Sequence, residues 1–206
     1  MGINSWINLL YVQPDKIKHF QQQFHAANPF PHLVLPTFLQ LEKAIELVQA
    51  LADEKFEPKE ADLFQFKQTS DLIGSKSKLI QEFRALLCSV EFISHLSSMT
   101  GCHLKPQLID ISGTLYEDTD FLLCHDDRLE GRKIAYTYYL STLSRNEGGG
   151  LVLFESKNDT PAAPRKIITP TFNTLVLFPV TEKSFHAVEE VVRDVQRVAI
   201  SGWFHD

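Results

Sequence analysis

Leu122-Leu123-Cys124-His125-Asp126-Asp127 is the stretch that decides the fold, because it reads as a short strand ending in candidate metal ligands. Successive side chains of a strand point to opposite faces, so His125 and Asp127 share one face and Asp126 lies on the other. His-x-Asp with a distant His is the spacing of a two-His-one-carboxylate site, which holds Fe(II) and leaves coordination positions open. The stretch therefore predicts an iron site at the end of a β-strand.

The third ligand should be a His at the start of a later strand. His186 meets this condition, because it follows Ser184-Phe185 and begins an apolar run. His103 precedes the β-rich region and His205 lies at the extreme end, so both are weaker candidates. His-x-Asp alone is weak support, since such residues are also common in surface turns. The predicted ligands are His125, Asp127 and His186, with Asp126 capping the turn that follows.

Arg197 lies inside an otherwise apolar strand and needs a charged partner, because an unpaired buried guanidinium is costly. Asp194 or Glu190 could be that partner. The alternative is a bidentate pair with the far carboxylate of a bound 2-oxoacid. The second reading makes Arg197 a co-substrate ligand.

Two tyrosines on neighbouring strands are candidates for the same pocket. Strand parity places Tyr139 with Thr137, on the face opposite Tyr136 and Tyr138. The Tyr139 hydroxyl could donate to the carboxylate that Arg197 would bind, and barrel packing is the alternative. Tyr116 is a candidate for the iron-proximal end of the co-substrate or for the substrate itself.

Composition limits the function classes. A chain of 206 residues with 44% hydrophobic and 22% charged residues suits one sizeable globular domain. The formal net charge of -6 argues against general binding of nucleic acid or anionic membranes. Three cysteines without CxxC spacing favour free thiols in a reducing cytoplasm. The N-terminus lacks the features of a signal peptide, and no apolar run is long enough to span a bilayer.

The chain changes character near residue 104. Before it, apolar residues recur at helical spacing in four rows, and Pro31–Pro36 and Asp62–Gln68 read as extended. The segment from Asp62 to Ser75 is also a candidate substrate-covering loop, with an ordinary surface loop as the alternative. The rows begin at Ile17, Leu41, Leu79 and Phe92.

After residue 104, eight short segments rich in β-branched and aromatic residues alternate with turn residues. Such spacing predicts an α+β protein with a mainly β core, a double-stranded β-helix (jelly roll, cupin-like) with N-terminal helices packed on one sheet. We expect a single catalytic domain over 1–206, with 1–103 as mostly helical support and 104–206 as the core. The predicted strands are Leu108–Tyr116, Leu122–Asp126, Ile134–Leu143, Leu151–Phe154, Lys166–Thr169, Thr174–Phe178, Phe185–Val191 and Gln196–Phe204.

Several segments resemble the 2-oxoglutarate- and Fe(II)-dependent oxygenases, and more closely the ribosomal prolyl 3-hydroxylases. The resemblance covers most of the chain, and its Ser-Phe-His and Ile-Ser-Gly-Trp-Phe-His pieces are the most specific. The matching segments are Pro29–His32, Asp62–Phe66, Leu122–Asp127 with Leu129–Arg132, Gly149-Gly150 before Leu153, Ser184–His186 and Ile200–His205.

The resemblance implies roles for the residues already singled out. His125, Asp127 and His186 would hold Fe(II), Arg197 and Tyr139 would bind the C5 carboxylate of 2-oxoglutarate, and Tyr116 would lie near its iron-proximal end. The implied reaction hydroxylates a prolyl residue of a protein, in the family a ribosomal protein, and releases succinate and CO2. Ascorbate is a candidate further cofactor.

Two alternatives remain at this point. One is an oxygenase of the same fold that acts on a small molecule or a nucleobase, and the other is a non-enzymatic binding module with a vestigial triad. Eukaryotic members of the family carry a second β-helix domain, whereas this sequence ends at Asp206. The expectation is therefore a single-domain form similar to prokaryotic relatives.

Overall fold

The computed structural model describes residues 2–206, which form four α-helices, eleven β-strands and several short 3-10 turns. The helices precede most of the strands, as the change of character near residue 104 predicts. The helices are α1 (Ile17–Ala26), α2 (Leu41–Ala52), α3 (Lys78–Leu87) and α4 (Val90–Thr100). The strands are β1 (Leu33–Pro36), β2 (Phe56–Ala61), β3 (Phe64–Thr69), β4 (Ile109–Tyr116), β5 (Phe121–His125), β6 (Arg132–Tyr139), β7 (Leu151–Lys157), β8 (Thr160–Ile168), β9 (Thr174–Pro179), β10 (His186–Val188) and β11 (Arg197–His205).

Local sequence signals set the helix ends. Ser89 caps α4, because its side chain accepts a hydrogen bond from the Phe92 amide at 3.1 Å. Gly101 ends the same helix in the left-handed conformation that glycine tolerates. Each of the four helices has a buried apolar face, in agreement with the predicted helical rows. Within residues 2–206, no helix is long and apolar enough to cross a membrane.

The strands form one curled antiparallel sheet in the order β1-β9-β6-β11-β4-β3-β5-β10-β7-β8, with β2 added beside β3. β3 joins the two halves of the sheet: Lys67 and Gln68 pair with β4, and Phe64 and Gln65 pair with β5. The hairpin of β2 and β3 therefore closes the gap between β4 and β5. β8 lies at one end of the sheet, and most of its residues are exposed.

The buried apolar residues of the described chain form three clusters, and the two larger ones lie on opposite faces of β6. Tyr136 and Tyr138 belong to the larger apolar cluster, which also contains the buried residues of all four helices. Ala135 and Tyr139 face the other way, into a second cluster with Leu153 of β7. The alternation predicted for Tyr136 to Tyr139 is therefore confirmed, and the helices pack on the outer face of one half of the sheet.

All eight strands predicted after residue 104 are present, but their bounds differ in places. β8 begins at Thr160, whereas the sequence predicts a strand from Lys166. The two prolines in its first half argue against a strand, but proline is tolerated here because β8 lies at the end of the sheet. β10 is limited to His186–Val188. Within the segment from Asp62 to Ser75, β3 covers Phe64–Thr69, as the extended reading of Asp62–Gln68 predicts, and a 3-10 turn follows at Leu72–Gly74, so the segment is not an irregular loop.

Candidate metal centre and co-substrate pocket

The structure brings together the three predicted ligands. His125 ends β5, His186 begins β10, and these residues pair directly across the two antiparallel strands. The Asp127 carboxylate lies between the two imidazoles, with each Nε2 3.4 Å from one of its oxygens. One ligand atom from each of the three residues lies within 4.8 Å of the others. Two imidazoles and one carboxylate on one side of a point match a facial Fe(II) site.

Backbone carbonyls fix the orientation of both imidazoles. His125 Nδ1 lies 2.9 Å from the Leu123 carbonyl oxygen, and His186 Nδ1 lies 2.9 Å from the Ser184 carbonyl oxygen. If each Nδ1–H donates to its carbonyl, each Nε2 keeps its lone pair for a metal. In both cases the carbonyl belongs to the residue two positions before the histidine, and this contact orients the ring towards Asp127.

The charges of the triad are strongly coupled. Burial alone would raise the pKa of Asp127, but hydrogen bonds and charge from His125 and His186 hold it well below its usual range. Burial alone would lower the pKa of His125, but Asp127 raises it overall. Asp126 instead pairs with Arg128, whose guanidinium nitrogen lies 2.9 Å away and whose amide donates to Asp126. Asp126 therefore caps the turn, as predicted.

Arg197 is buried, with 3% of its surface exposed. Its Nε donates to the Gly149 carbonyl at 2.8 Å, and its guanidinium lies near the rings of Tyr116 and Tyr139 at 4.8 and 5.1 Å. Within residues 2–206 no carboxylate forms an ion pair with it, so Asp194 and Glu190 are not its partners. A buried guanidinium with free terminal nitrogens is an anion-binding group.

The two predicted tyrosines lie beside this guanidinium. The Tyr139 hydroxyl is buried and has no hydrogen-bond partner of good geometry within residues 2–206. Burial raises the pKa of Tyr139, and the charge of Arg197 and a weak side-chain hydrogen bond with Arg197 partly oppose the increase. Tyr116 stacks on Phe66 of β3 with ring centres 4.9 Å apart, and burial raises its pKa as well. Both phenols are therefore neutral donors.

A cavity of about 480 Å³ connects these groups. Its volume lies within the usual range for small-molecule pockets. His125, Asp127 and His186 line the cavity, as do Arg197 and Tyr116. Tyr139 lies in the apolar cluster behind Arg197. The other lining residues include Leu63, Phe64 and Phe66 of the β2–β3 hairpin, Thr137, Ser201 and Trp203.

Sequence reasoning missed part of the site. Arg132 lies 3.4 Å from the centre of the Trp203 ring, and both residues line the cavity. Trp203 alternates with Arg197 and Ser201 along β11, and this spacing could have placed Trp203 on the cavity face. The contact between Gly149 and Arg197 carries no sequence signal beyond the run of three glycines. His205 pairs with Asp110 at 3.2 Å, outside the triad.

A family model described as the 2OG-Fe(II) oxygenase superfamily matches residues 111–205, which contain the triad and Arg197. This part of the chain is therefore similar to the 2OG-Fe(II) oxygenases. The matched region begins in β4 and ends in β11, so it includes all three predicted metal ligands.

The chain is also similar to curated proteins. It is 41% identical over 181 residues to "Prolyl 3-hydroxylase OGFOD1" of Xenopus laevis, covering 86% of this chain and 35% of that protein. It is 32% identical over 200 residues to "Prolyl 3,4-dihydroxylase OGFOD1" of Ostreococcus tauri, covering 86% and 38%. The chain thus spans about a third of the length of the curated relatives it matches.

Solved structures support the fold. A Pseudomonas putida prolyl-4-hydroxylase superposes with a TM-score of 0.72 at 16% identity, covering 92% of this chain and 98% of that one. A Trichoplax adhaerens prolyl hydroxylase, solved with a hypoxia inducible factor peptide fragment, gives 0.72 at 19% identity, covering 93% and 91%. Together with the curled antiparallel sheet, these likenesses confirm the predicted double-stranded β-helix.

Proposed function

We propose that this domain is a 2-oxoglutarate- and Fe(II)-dependent dioxygenase that hydroxylates a prolyl residue of a protein. The observation that carries the proposal is one cavity that joins the triad of His125, Asp127 and His186 to the buried, unpaired guanidinium of Arg197. The triad supplies a ligand set suited to iron, and Arg197 supplies a cation suited to a dicarboxylate.

The triad would hold the metal through His125 Nε2, His186 Nε2 and the Asp127 carboxylate. Bound together, Fe(II), 2-oxoglutarate and O2 supply the oxidising chemistry, which yields succinate and CO2 and places one oxygen atom on a substrate C–H bond. The two backbone carbonyls at the Nδ1 atoms would keep the imidazoles oriented for metal binding. The coupled low pKa of Asp127 keeps its carboxylate ionised and available.

The far end of the cavity would bind the co-substrate. The terminal nitrogens of Arg197 and the hydroxyl of Tyr139 would donate to the C5 carboxylate, which removes the cost of leaving these buried groups unsatisfied. Tyr116 packs over the Arg197 guanidinium and would lie near the iron-proximal end of the same molecule. The apolar walls around them exclude water from the reacting groups.

The prolyl substrate is supported by the names of the curated relatives, which are prolyl 3-hydroxylases or a prolyl dihydroxylase. The resemblance described above favours a ribosomal protein as the partner. Three free cysteines favour a reducing compartment, and we propose the cytoplasm. We also propose that ascorbate supports turnover by keeping the iron reduced.

The test is succinate formation by the purified chain with candidate ribosomal proteins, followed by mass spectrometry of their peptides. We expect succinate release that requires both Fe(II) and 2-oxoglutarate, with one added oxygen atom on a proline. His125→Ala should abolish both signals, because it removes one of the three ligands.

His103→Ala is the matched control, since His103 lies outside the cavity, and it should behave as wild type. Activity that survives in His125→Ala would contradict the proposed metal site. Succinate formation without modification of any proline would separate oxygenase chemistry from the proposed substrate.

A further inference from the structure

The turn that contains Gly148, Gly149 and Gly150 lies directly against Arg197. The Gly149 carbonyl accepts the Arg197 Nε–H at 2.8 Å, and the guanidinium also interacts with the Tyr139 side chain. A guanidinium held through Nε keeps both terminal nitrogens free for a planar carboxylate. The carbonyl thus limits how far the guanidinium can move along the cavity.

Gly149 also meets a steric requirement. Its φ of +67° is a backbone conformation that residues with a Cβ rarely adopt. A Cβ at this position would lie 2.9 Å from Leu143 Cδ2 and 3.3 Å from both Arg197 Cδ and Val191 Cγ2. Any larger residue would therefore press on the Arg197 side chain as well as strain the turn.

The same turn is tied to the segment that follows β10. The Glu189 amide donates to the Gly150 carbonyl at 2.9 Å, and the Gly149 amide donates to the Glu190 carbonyl at 3.4 Å. β10 carries His186, so a short stretch of backbone connects that triad residue with the carbonyl that holds Arg197. These backbone hydrogen bonds thereby fix the position of the guanidinium relative to the triad.

We propose that Gly149 is a positioning residue that sets the distance between Arg197 and the metal triad, and so selects the chain length of the dicarboxylate co-substrate. The inference rests on the proposed function, in which Arg197 binds the C5 carboxylate. A guanidinium fixed by a backbone carbonyl cannot shift to accept a longer acid. The site therefore prefers the five-carbon 2-oxoglutarate over the six-carbon 2-oxoadipate.

Calorimetric titration of the anaerobic Fe(II)-loaded protein tests the proposal through binding alone. We expect Gly149→Ala to weaken 2-oxoglutarate binding by about tenfold or more, because a small misplacement of a charged hydrogen-bonding group has effects of this order. The ratio of the dissociation constants for 2-oxoadipate and 2-oxoglutarate should also fall towards one. A variant that only loses stability would not change that ratio.

Gly150→Ala is the matched control. Its Cβ would crowd Glu189 Oε2 at 2.5 Å and Ile167 Cγ2 at 2.6 Å, but Arg197 is not among its nearest neighbours. It should keep the wild-type ratio even if its melting temperature falls. If Gly149→Ala does not fold, Leu143→Ala/Gly149→Ala is compared with Leu143→Ala, since the smaller side chain makes room for the new Cβ.

The possible results distinguish a failure of the positioning role from a failure of the proposed function. Equal 2-oxoglutarate affinity and an unchanged ratio in folded Gly149→Ala and Gly150→Ala would overturn the positioning role. A wild-type protein that does not bind 2-oxoglutarate, or an Arg197→Ala variant that binds it like wild type, would overturn the proposed function instead.

Discussion

At the residue scale, the proposed co-substrate end of the cavity depends on a few polar atoms. The Tyr139 hydroxyl is a buried polar group without a hydrogen-bond partner of good geometry among residues 2–206, and the buried Arg197 has no ion-pair partner there. Groups of this kind destabilise a fold unless something binds them. They are therefore better explained as ligand-binding groups than as packing.

Tyr139→Phe separates binding from stability. Without co-substrate, we expect an unchanged or slightly higher melting temperature, because the change removes an unsatisfied buried hydroxyl. With 2-oxoglutarate, the variant should gain less thermal stabilisation than wild type, because one hydrogen bond to the carboxylate is lost. Differential scanning fluorimetry with and without 2-oxoglutarate measures both effects. A large loss of stability in the ligand-free variant would contradict this role.

Arg197→Lys tests the planar guanidinium. Lysine keeps the charge but loses the Nε contact to Gly149 and the paired terminal nitrogens. We expect the KM for 2-oxoglutarate to rise by about tenfold or more, given the strength of charged hydrogen bonds. The iron requirement should change little. Arg165→Lys, at an exposed position on β8, is the control. An unchanged KM would remove Arg197 from the pocket.

At the scale of elements, β3 is a wall of the cavity as well as the bridge between the two halves of the sheet. Phe66 stacks on Tyr116, and Tyr116 packs against the Arg197 guanidinium, so three side chains form one layered stack. Lys67 forms an ion pair with Glu117, which holds the hairpin to the end of β4. The hairpin thus helps to order the co-substrate end.

Phe66→Ala removes the outer layer of this stack. We expect weaker 2-oxoglutarate binding, by several-fold, and faster amide exchange in β3 and β4, because Tyr116 loses its packing partner. Titration calorimetry and hydrogen-exchange mass spectrometry measure the two effects. Lys59→Ala, on the exposed strand β2, should leave both unchanged. Normal binding with fast exchange in β3 would limit the hairpin to a structural role.

Alternation made much of the site predictable. It separated Tyr139 from Tyr138, whose side chains lie in different apolar clusters on opposite faces of β6. It also selected His125 and Asp127 over Asp126, but β5 ends at His125, so Asp127 reaches the triad from the turn after the strand, and Asp126 lines the cavity as well. The hairpin strand β2 was missed, since Phe56–Ala61 carries charges and a proline on exposed positions and has no apolar alternation. The hydrogen bond between Arg197 and the Gly149 carbonyl was missed because every residue has a backbone carbonyl, so residue types do not show which carbonyl contacts a distant side chain.

At the scale of the molecule, the N-terminal helices stabilise the sheet from outside without lining the cavity. Leu47 of α2 is fully buried in the larger apolar cluster, whereas Ile45 on the same helix is 46% exposed. This division predicts that stability and co-substrate binding can be changed separately.

Leu47→Ala should lower the free energy of unfolding by about 2–5 kcal/mol, the usual cost of removing a buried leucine side chain. Urea denaturation measures the loss, and the KM for 2-oxoglutarate in the folded fraction should stay at the wild-type value. Ile45→Ala, two residues away on the exposed side of the helix, should change stability by no more than about 0.5 kcal/mol. A changed KM in Leu47→Ala would show that the helices influence the cavity.

The end of the sheet at β8 has a consequence for how copies of the molecule behave towards one another. An exposed terminal strand normally offers its free backbone groups to a neighbouring chain and so seeds fibrils. Pro161 and Pro164 lack the amide hydrogen, and Arg165 and Lys166 add positive charge beside them. These residues therefore make β8 a poor template for pairing with a strand of a second copy of the chain.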